Sequence, residues 1–250
     1  MTESVWLRTA RPRREGPPMS RERIAAEAVA LLDEEGAARL TMRRLAERLG
    51  TGSTTLYWHV RTKDDVLDLA LDTIFGEVEL PEAADWRADV TALIGGWRAA
   101  MLRHPWSASV LGRPLLGPNV LARTEFLHAA LVSAGFAGQP LVTAAYALAN
   151  YVIGSALMQV SSAGEDEAAV REAADAHLAA HRDRYPSLAA HGHVSGNDWD
   201  AAFAQGLACL LDGLAPLAGP PGTAGAAGAA GAAGAAGPPG PPGAAGTVRS

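Results

Sequence analysis

The segment Thr54-Thr55-Leu56-Tyr57-Trp58-His59-Val60 gathers hydroxyl, methyl, phenol, indole and imidazole groups into about two helical turns. Only Leu56 and Val60 stand at the i, i+4 spacing of a buried anchor, so Thr55, Tyr57, Trp58 and His59 face outward. Aromatic rings left against water call for a covering partner. Duplex DNA is a partner that would cover them.

Other chemistries lack their residues. There is no nucleophile elbow with ordered Ser, His and Asp, no glycine-rich phosphate loop in a strand-to-helix context and no paired-carboxylate pocket, so an enzyme is not expected. Cys209 is the single cysteine, which excludes a disulfide framework and thiolate clusters. His177 and His181 have the i, i+4 spacing of a metal pair, with His191 and His193 in the loop beyond. Leu178, however, stands where a zinc-protease motif carries glutamate. These histidines read as surface or helix-end residues, and neither a metal nor another cofactor is expected.

The DNA-facing groups need a frame, and the chain supplies one made of helices. From Ser20 to about Leu217 no sustained period-2 alternation interrupts the helical pattern, so the fold expected is all-α. Ser20 caps a first helix with Ile24, Ala28, Leu31 and Leu32 inward and Gly36 as its stop. Thr41 caps a second that buries Met42, Leu45, Ala46 and Leu49 and ends at Gly50. The third runs from Thr54 to about Val60. Thr62-Lys63-Asp64-Asp65 is a capping box opening a longer helix. Further helices run from Asp85 or Trp86 through Leu102, from Pro118, from Pro140 to about Val160 and near 165–182. The 165–182 helix has Glu165, Asp166 and Glu167 in its first turn and His181 and Arg182 in its last. A second box, Asn197-Asp198-Trp199-Asp200, opens a final helix with Phe203, Leu207, Leu210, Leu211 and Leu214 on one stripe.

Charge is divided unevenly along the 250 residues, whose net value is −6. Residues 1–63 hold 12 Lys and Arg against 8 Asp and Glu, giving +4, and the remainder holds 9 against 19, giving −10. A polyanion should therefore meet the first quarter of the chain. No uninterrupted apolar run reaches the roughly 18 residues of a membrane span, and Arg8, Arg11, Arg13 and Arg14 precede no signal segment. A cytoplasmic protein with no membrane partner is expected.

Two short helices, Thr41–Leu49 and the one after Gly50-Thr51-Gly52-Ser53, form a minimal helix-turn-helix whose second helix can enter a major groove. Here the sequence resembles the TetR (tetracycline-repressor) family of bacterial regulators. Leu56-Tyr57-Trp58-His59-Val60 followed by Lys63 resembles its recognition-helix signature. Arg103-His104-Pro105 and Gly112-Arg113-Pro114 resemble its C-terminal domain. The resemblance implies a homodimeric repressor on a palindromic operator, released when a small-molecule effector enters the helical body. It assigns Arg43 to base or phosphate contact, Ser53, Thr54 and Thr55 to base edges, and Tyr57, Trp58, His59 and Lys63 to the backbone. The domain plan is then an Arg/Pro-rich arm over 1–19, a helix-turn-helix head over 20–66, a ligand-binding and dimerisation body over 67–218, and a tail over 219–250. The arm reads as a solvated terminus, with minor-groove insertion as the alternative. The tail repeats glycine at every third position from Gly219 to Gly246. Because most triplets are Gly-Ala-Ala, it reads as a disordered linker rather than a triple helix.

In the body, the His and Glu with which tetracycline repressor holds its magnesium-bound drug have no counterparts in Ser109-Val110-Leu111 or Ala156-Leu157-Met158-Gln159, so that effector is not expected. Trp97, Met101, His104, Arg113, Phe126, Tyr146 and Asn150 are the residues expected to face a cavity for a mostly apolar molecule, each with ordinary core packing as the alternative. Dimerisation is expected to pair the Pro140–Val160 and Asn197–Leu214 helices with their twofold mates and bury the leucine stripe between subunits. A scaffold that oligomerises through the body and tail, its head vestigial, is the competing reading.

Overall fold

The computed structural model describes residues 19–82, 85–111, 114–163, 167–191 and 198–220. In chain order its helices are α1 (Arg21–Glu35), α2 (Met42–Arg48), α3 (Ser53–Tyr57), α4 (Lys63–Gly76), α5 (Trp86–Arg103), α6 (Trp106–Val110), α7 (Pro118–Ser133), α8 (Gly138–Ser162), α9 (Glu167–Ala180), α10 (Pro186–His191) and α11 (Trp199–Leu214). No strand occurs among the described residues, and the fold is all-α. Side chains take the otherwise unpaired N–H groups where helices begin. Ser20, Thr41, Thr62 and Asp85 each accept from the backbone three residues ahead, a bond worth about 1 kcal/mol apiece.

Several local expectations change. α3 stops at Tyr57, and Trp58 and His59 turn the chain through i→i−3 bonds to Thr55 and Leu56, because the next helix is already capped at Thr62. The cap of α11 is Asp198, which accepts from Asp200 and Ala201, rather than Asn197, which lies outside the described residues. His181 and Arg182 fall in the turn after α9, while Glu165 and Asp166 are outside the described residues. α6 and α10 were not anticipated, since five or six residues are too few to show a helical period.

In the head α1 packs against both α4 and α2, and α2 packs against α3. Ile24, Leu31, Leu45, Leu56 and Val66 are fully buried there, each contributing about 1.5–3 kcal/mol by leaving water. In the body α5, α7 and α8 pack mutually, with α6 and α11 laid on α8. Phe203, Leu207, Leu211 and Leu214 of α11 are buried within the subunit. Four of the five stripe residues thus pack into the chain's own core, and Leu210 is half-buried. No residue of α9 or α10 is buried.

Head and body share α4, and two polar devices fasten it. Asp72 of α4 accepts from the Asn119 and Val120 amides at 2.9 and 3.0 Å, capping α7 from outside that helix. Arg123 of α7, itself buried, answers by donating to the carbonyls of Gly76, the last residue of α4, and Val78 just beyond it, both at 2.8 Å. Each helix thus satisfies the other's terminal groups. Gly117 sits where any Cβ would strike the Asp72 carboxylate. The second device is centred on His104, at the end of α5. It presents Nδ1 to Asp33 of α1 at 2.8 Å and Nε2 to Glu77 at 3.1 Å, while the Trp106 indole donates to Asp33 at 2.7 Å.

α8 is long and apolar enough to cross a membrane by length and composition, which counting uninterrupted apolar residues had passed over. It packs against α5, α6, α7 and α11, and Ala144, Ala145, Leu148, Val152 and Ala156 are its buried residues. Tyr146, Leu157 and Met158 are exposed along its length.

Candidate nucleic-acid interface

The turn between α2 and α3 needs glycine. Gly50 has a φ of 66°, a left-handed conformation that side chains with a Cβ adopt only with strain. From there the Thr51 amide reaches the Ala46 carbonyl at 3.0 Å. Leu56 and Val60, 0% and 3% exposed, then anchor α3 in the head. Most of the other side chains face away, with His59 less open than expected. Thr54 and Thr55 are exposed, Ser53 and His59 half-buried, and Tyr57 and Trp58 are 49% and 84% exposed.

The arginines of α2 divide by role. Arg44 pairs with Glu35, and Arg48 with Glu27 and Glu34, so two of the three cations hold α2 against α1. Arg48 in turn keeps the Glu34 carboxyl below its ordinary value through their hydrogen bond. Arg43 reaches only Glu47 on its own helix, at 2.9 Å, and its side chain is 86% exposed. Lys63 is half-buried and donates to the Ala37 carbonyl at 2.8 Å, which ties α4 to the α1–α2 turn. Two of its three ammonium hydrogens remain for another acceptor. The sequence reading passed over the exposed Arg61, next to Val60; its signal was position, one residue past the anchor.

A second concavity lies between α5, α7 and α8. Trp97, Leu115, Val120, Thr124, Leu127, His128, Val142, Ala145, Tyr146 and Ala149 enclose about 570 Å³, and a lobe of about 140 Å³ continues past Phe75, Met101 and Leu111. Of the residues expected here, Trp97, Met101 and Tyr146 line it. His104 does not, being held in the junction by Asp33 and Glu77. Phe126 is half-buried against the core, and Asn150 lines a separate groove of about 360 Å³ between α8 and α11. Arg113 lies outside the described residues. Thr124 and His128 were missed, although Val120, Thr124, Leu127 and His128 form an i, i+4, i+7, i+8 stripe. Among the described residues no three His, Cys, Asp or Glu side chains come together as a metal site. The His177 and His181 rings lie close but tilted, centroids 4.3 Å apart and planes at 32°, and His193 is outside the described residues.

A glycine-turned helix pair presenting polar and aromatic side chains outward is a helix-turn-helix, a class that reads duplex DNA with its second helix. Residues 24–70 match the model of the bacterial regulatory proteins of the tetR family, and residues 80–217 match the tetracyclin repressor-like C-terminal domain. A helix-turn-helix transcriptional regulator of Saccharopolyspora erythraea is 46% identical over 219 residues, covering 86% of this chain and 93% of its own. The transcriptional repressor DrrR1 of Streptomyces coeruleorubidus is 36% identical over 163 residues, covering 63% of this chain and 60% of its own. Among solved structures, the TetR-family protein ActR of Streptomyces coelicolor in complex with actinorhodin superposes with a TM-score of 0.75 at 31% identity. It covers 82% of this chain and 100% of its own. The chain belongs to the TetR family and is a helix-turn-helix transcriptional regulator.

Proposed function

We propose that the protein is a homodimeric cytoplasmic repressor that holds a palindromic operator with its two heads and leaves it when a small molecule enters the α5–α7–α8 cavity. The observation that carries this reading is Trp58, 84% exposed beside a helix of five residues whose only buried member is Leu56. Such a surface gains from a partner with apolar base edges and phosphates. Ser53, Thr54 and Thr55 take the base edges, Arg43 a guanine or a phosphate, and Tyr57, Trp58, His59, Lys63 and Arg61 the backbone.

Release follows from connectivity. α7 lines the cavity with Val120, Thr124 and His128, and the same helix is fastened to α4 through Asp72 and Arg123. A ligand that displaces the first turns of α7 carries the end of α4 with it. The heads of a dimer must match successive major grooves, so a change in α4 tilt is enough to break their register. ActR, solved with actinorhodin, supports a body of this type as a ligand receptor.

Footprinting the purified protein across its own genome tests the DNA half. We expect discrete sites with twofold symmetry, each lost with Trp58→Ala or Arg43→Ala. Uniform binding that neither substitution alters would refute the reading.

A further inference from the structure

We infer that the α5–α7–α8 cavity takes an uncharged aromatic molecule bearing a hydroxyl group, and that this hydroxyl donates to Nε2 of His128. The inference rests on the body being an effector receptor, and it specifies the effector's chemistry.

Three observations lead there. The first is charge. Among the described residues lining the cavity there is no Asp, Glu, Lys or Arg. An ion entering it would give up hydration and find no counter-charge among them. A ligand-bound metal would find one imidazole and no carboxylate, far from a complete donor set.

The second is the wall. Trp97 and Phe75 meet edge to face, their centroids 6.2 Å apart and their planes at 81°, and Tyr146 stands at the rim. The remaining surface is mostly aliphatic. Flat rings gain more from such a corner than from aliphatic surface alone.

The third is the orientation of the single imidazole. His128 Nδ1 lies 2.8 Å from the Thr124 carbonyl one turn earlier, and a carbonyl can only accept. Nδ1 therefore carries the hydrogen, and in the neutral ring Nε2 is left as a lone-pair acceptor with no hydrogen-bond partner among the described residues. An acceptor in an apolar cavity selects for a donor. A ligand hydroxyl supplies one, whereas an ether or a carboxylate at the same place does not.

Calorimetric titration of the full chain with three probes tests this: phenanthren-9-ol, 9-methoxyphenanthrene and phenanthrene-9-carboxylate. The alcohol should bind about tenfold more tightly than the ether, the scale of one hydrogen bond, and the carboxylate more weakly than the alcohol. His128→Phe should abolish the preference for the alcohol while leaving ether binding in place. Equal affinity for alcohol and ether, tightest binding of the carboxylate, a preference that survives His128→Phe, or no binding of any probe would each overturn the assignment. The wild-type ranking stands as a test by itself if the variant does not fold. Operator release is scored separately. The expected ranking with DNA still bound would refute the repressor reading and leave the ligand chemistry intact.

Discussion

At the residue scale Leu56 and Trp58, two positions apart, do opposite work. Leu56 has no exposed surface and Trp58 is 84% exposed. Leu56→Ala should cost about 2–5 kcal/mol of stability, read by chemical denaturation, with DNA affinity falling only through loss of fold. Trp58→Ala should leave the denaturation midpoint unchanged and weaken operator binding at least about tenfold, the magnitude of one lost interface anchor. Arg43 is argued the same way. Its one partner is an exposed carboxylate on its own helix, so Arg43→Ala should spare the fold and, if the residue sits on a phosphate, reduce the salt slope of binding by about 1. These outward residues could be picked out from sequence because a short helix with two anchors leaves no doubt which side faces in. His104 could not. Its partners Asp33 and Glu77 stand 71 and 27 positions away, and no local pattern announces a contact of that length. An imidazole among apolar neighbours looked like part of a cavity wall for the same reason.

At the element scale the crossed capping of α4 and α7 makes a sharp prediction. Arg123→Met fills a similar volume but strands the carbonyls of Gly76 and Val78, so about 3 kcal/mol should be lost. That appears as a fall of roughly 6–12 °C in thermal midpoint for a body of this size. Gly117→Ala should destabilise as well, by forcing the Asp72 carboxylate off the α7 amides. The opening of α4 is pH-sensitive in a defined direction. The Arg61 amide and then the Thr62 hydroxyl hold the Asp65 carboxyl below its ordinary value of 3.8. A carboxyl depressed on folding adds stability that is complete above its unfolded value and disappears as pH falls through the folded one. Thermal midpoints measured from pH 6 to pH 3 should therefore drop more steeply for the wild type than for Asp65→Asn. Helix starts were the most legible elements, because Ser20, Thr41 and Thr62 mark them chemically. Helix ends and the short α6 and α10 were not, since tertiary contacts decide them.

For the whole molecule, the open question in the sequence was which apolar stripe serves the core and which serves a second subunit. The stripe on α11 looked available for a partner until the fold packed four of its five residues into the core. What remains outward is the side of α8 with Met158, 63% exposed, and the groove it forms with α11. If the twofold contact lies there, Met158→Glu should shift sedimentation from dimer toward monomer and weaken operator binding by more than it weakens a half-site. A sedimentation profile unchanged by this substitution would place the contact elsewhere.

The contact from Asp33 to His104 and Trp106 bears on anyone wishing to rewire this protein as a biosensor. A chimera that grafts the head onto a foreign receptor by splicing within α4 severs that bridge as well as the covalent link. It would bring Asp33 to a body that offers nothing to meet it. Transplanting the histidine and tryptophan along with the head, or replacing Asp33 with an apolar residue, should decide whether such a hybrid still responds to its new signal or merely binds DNA without listening.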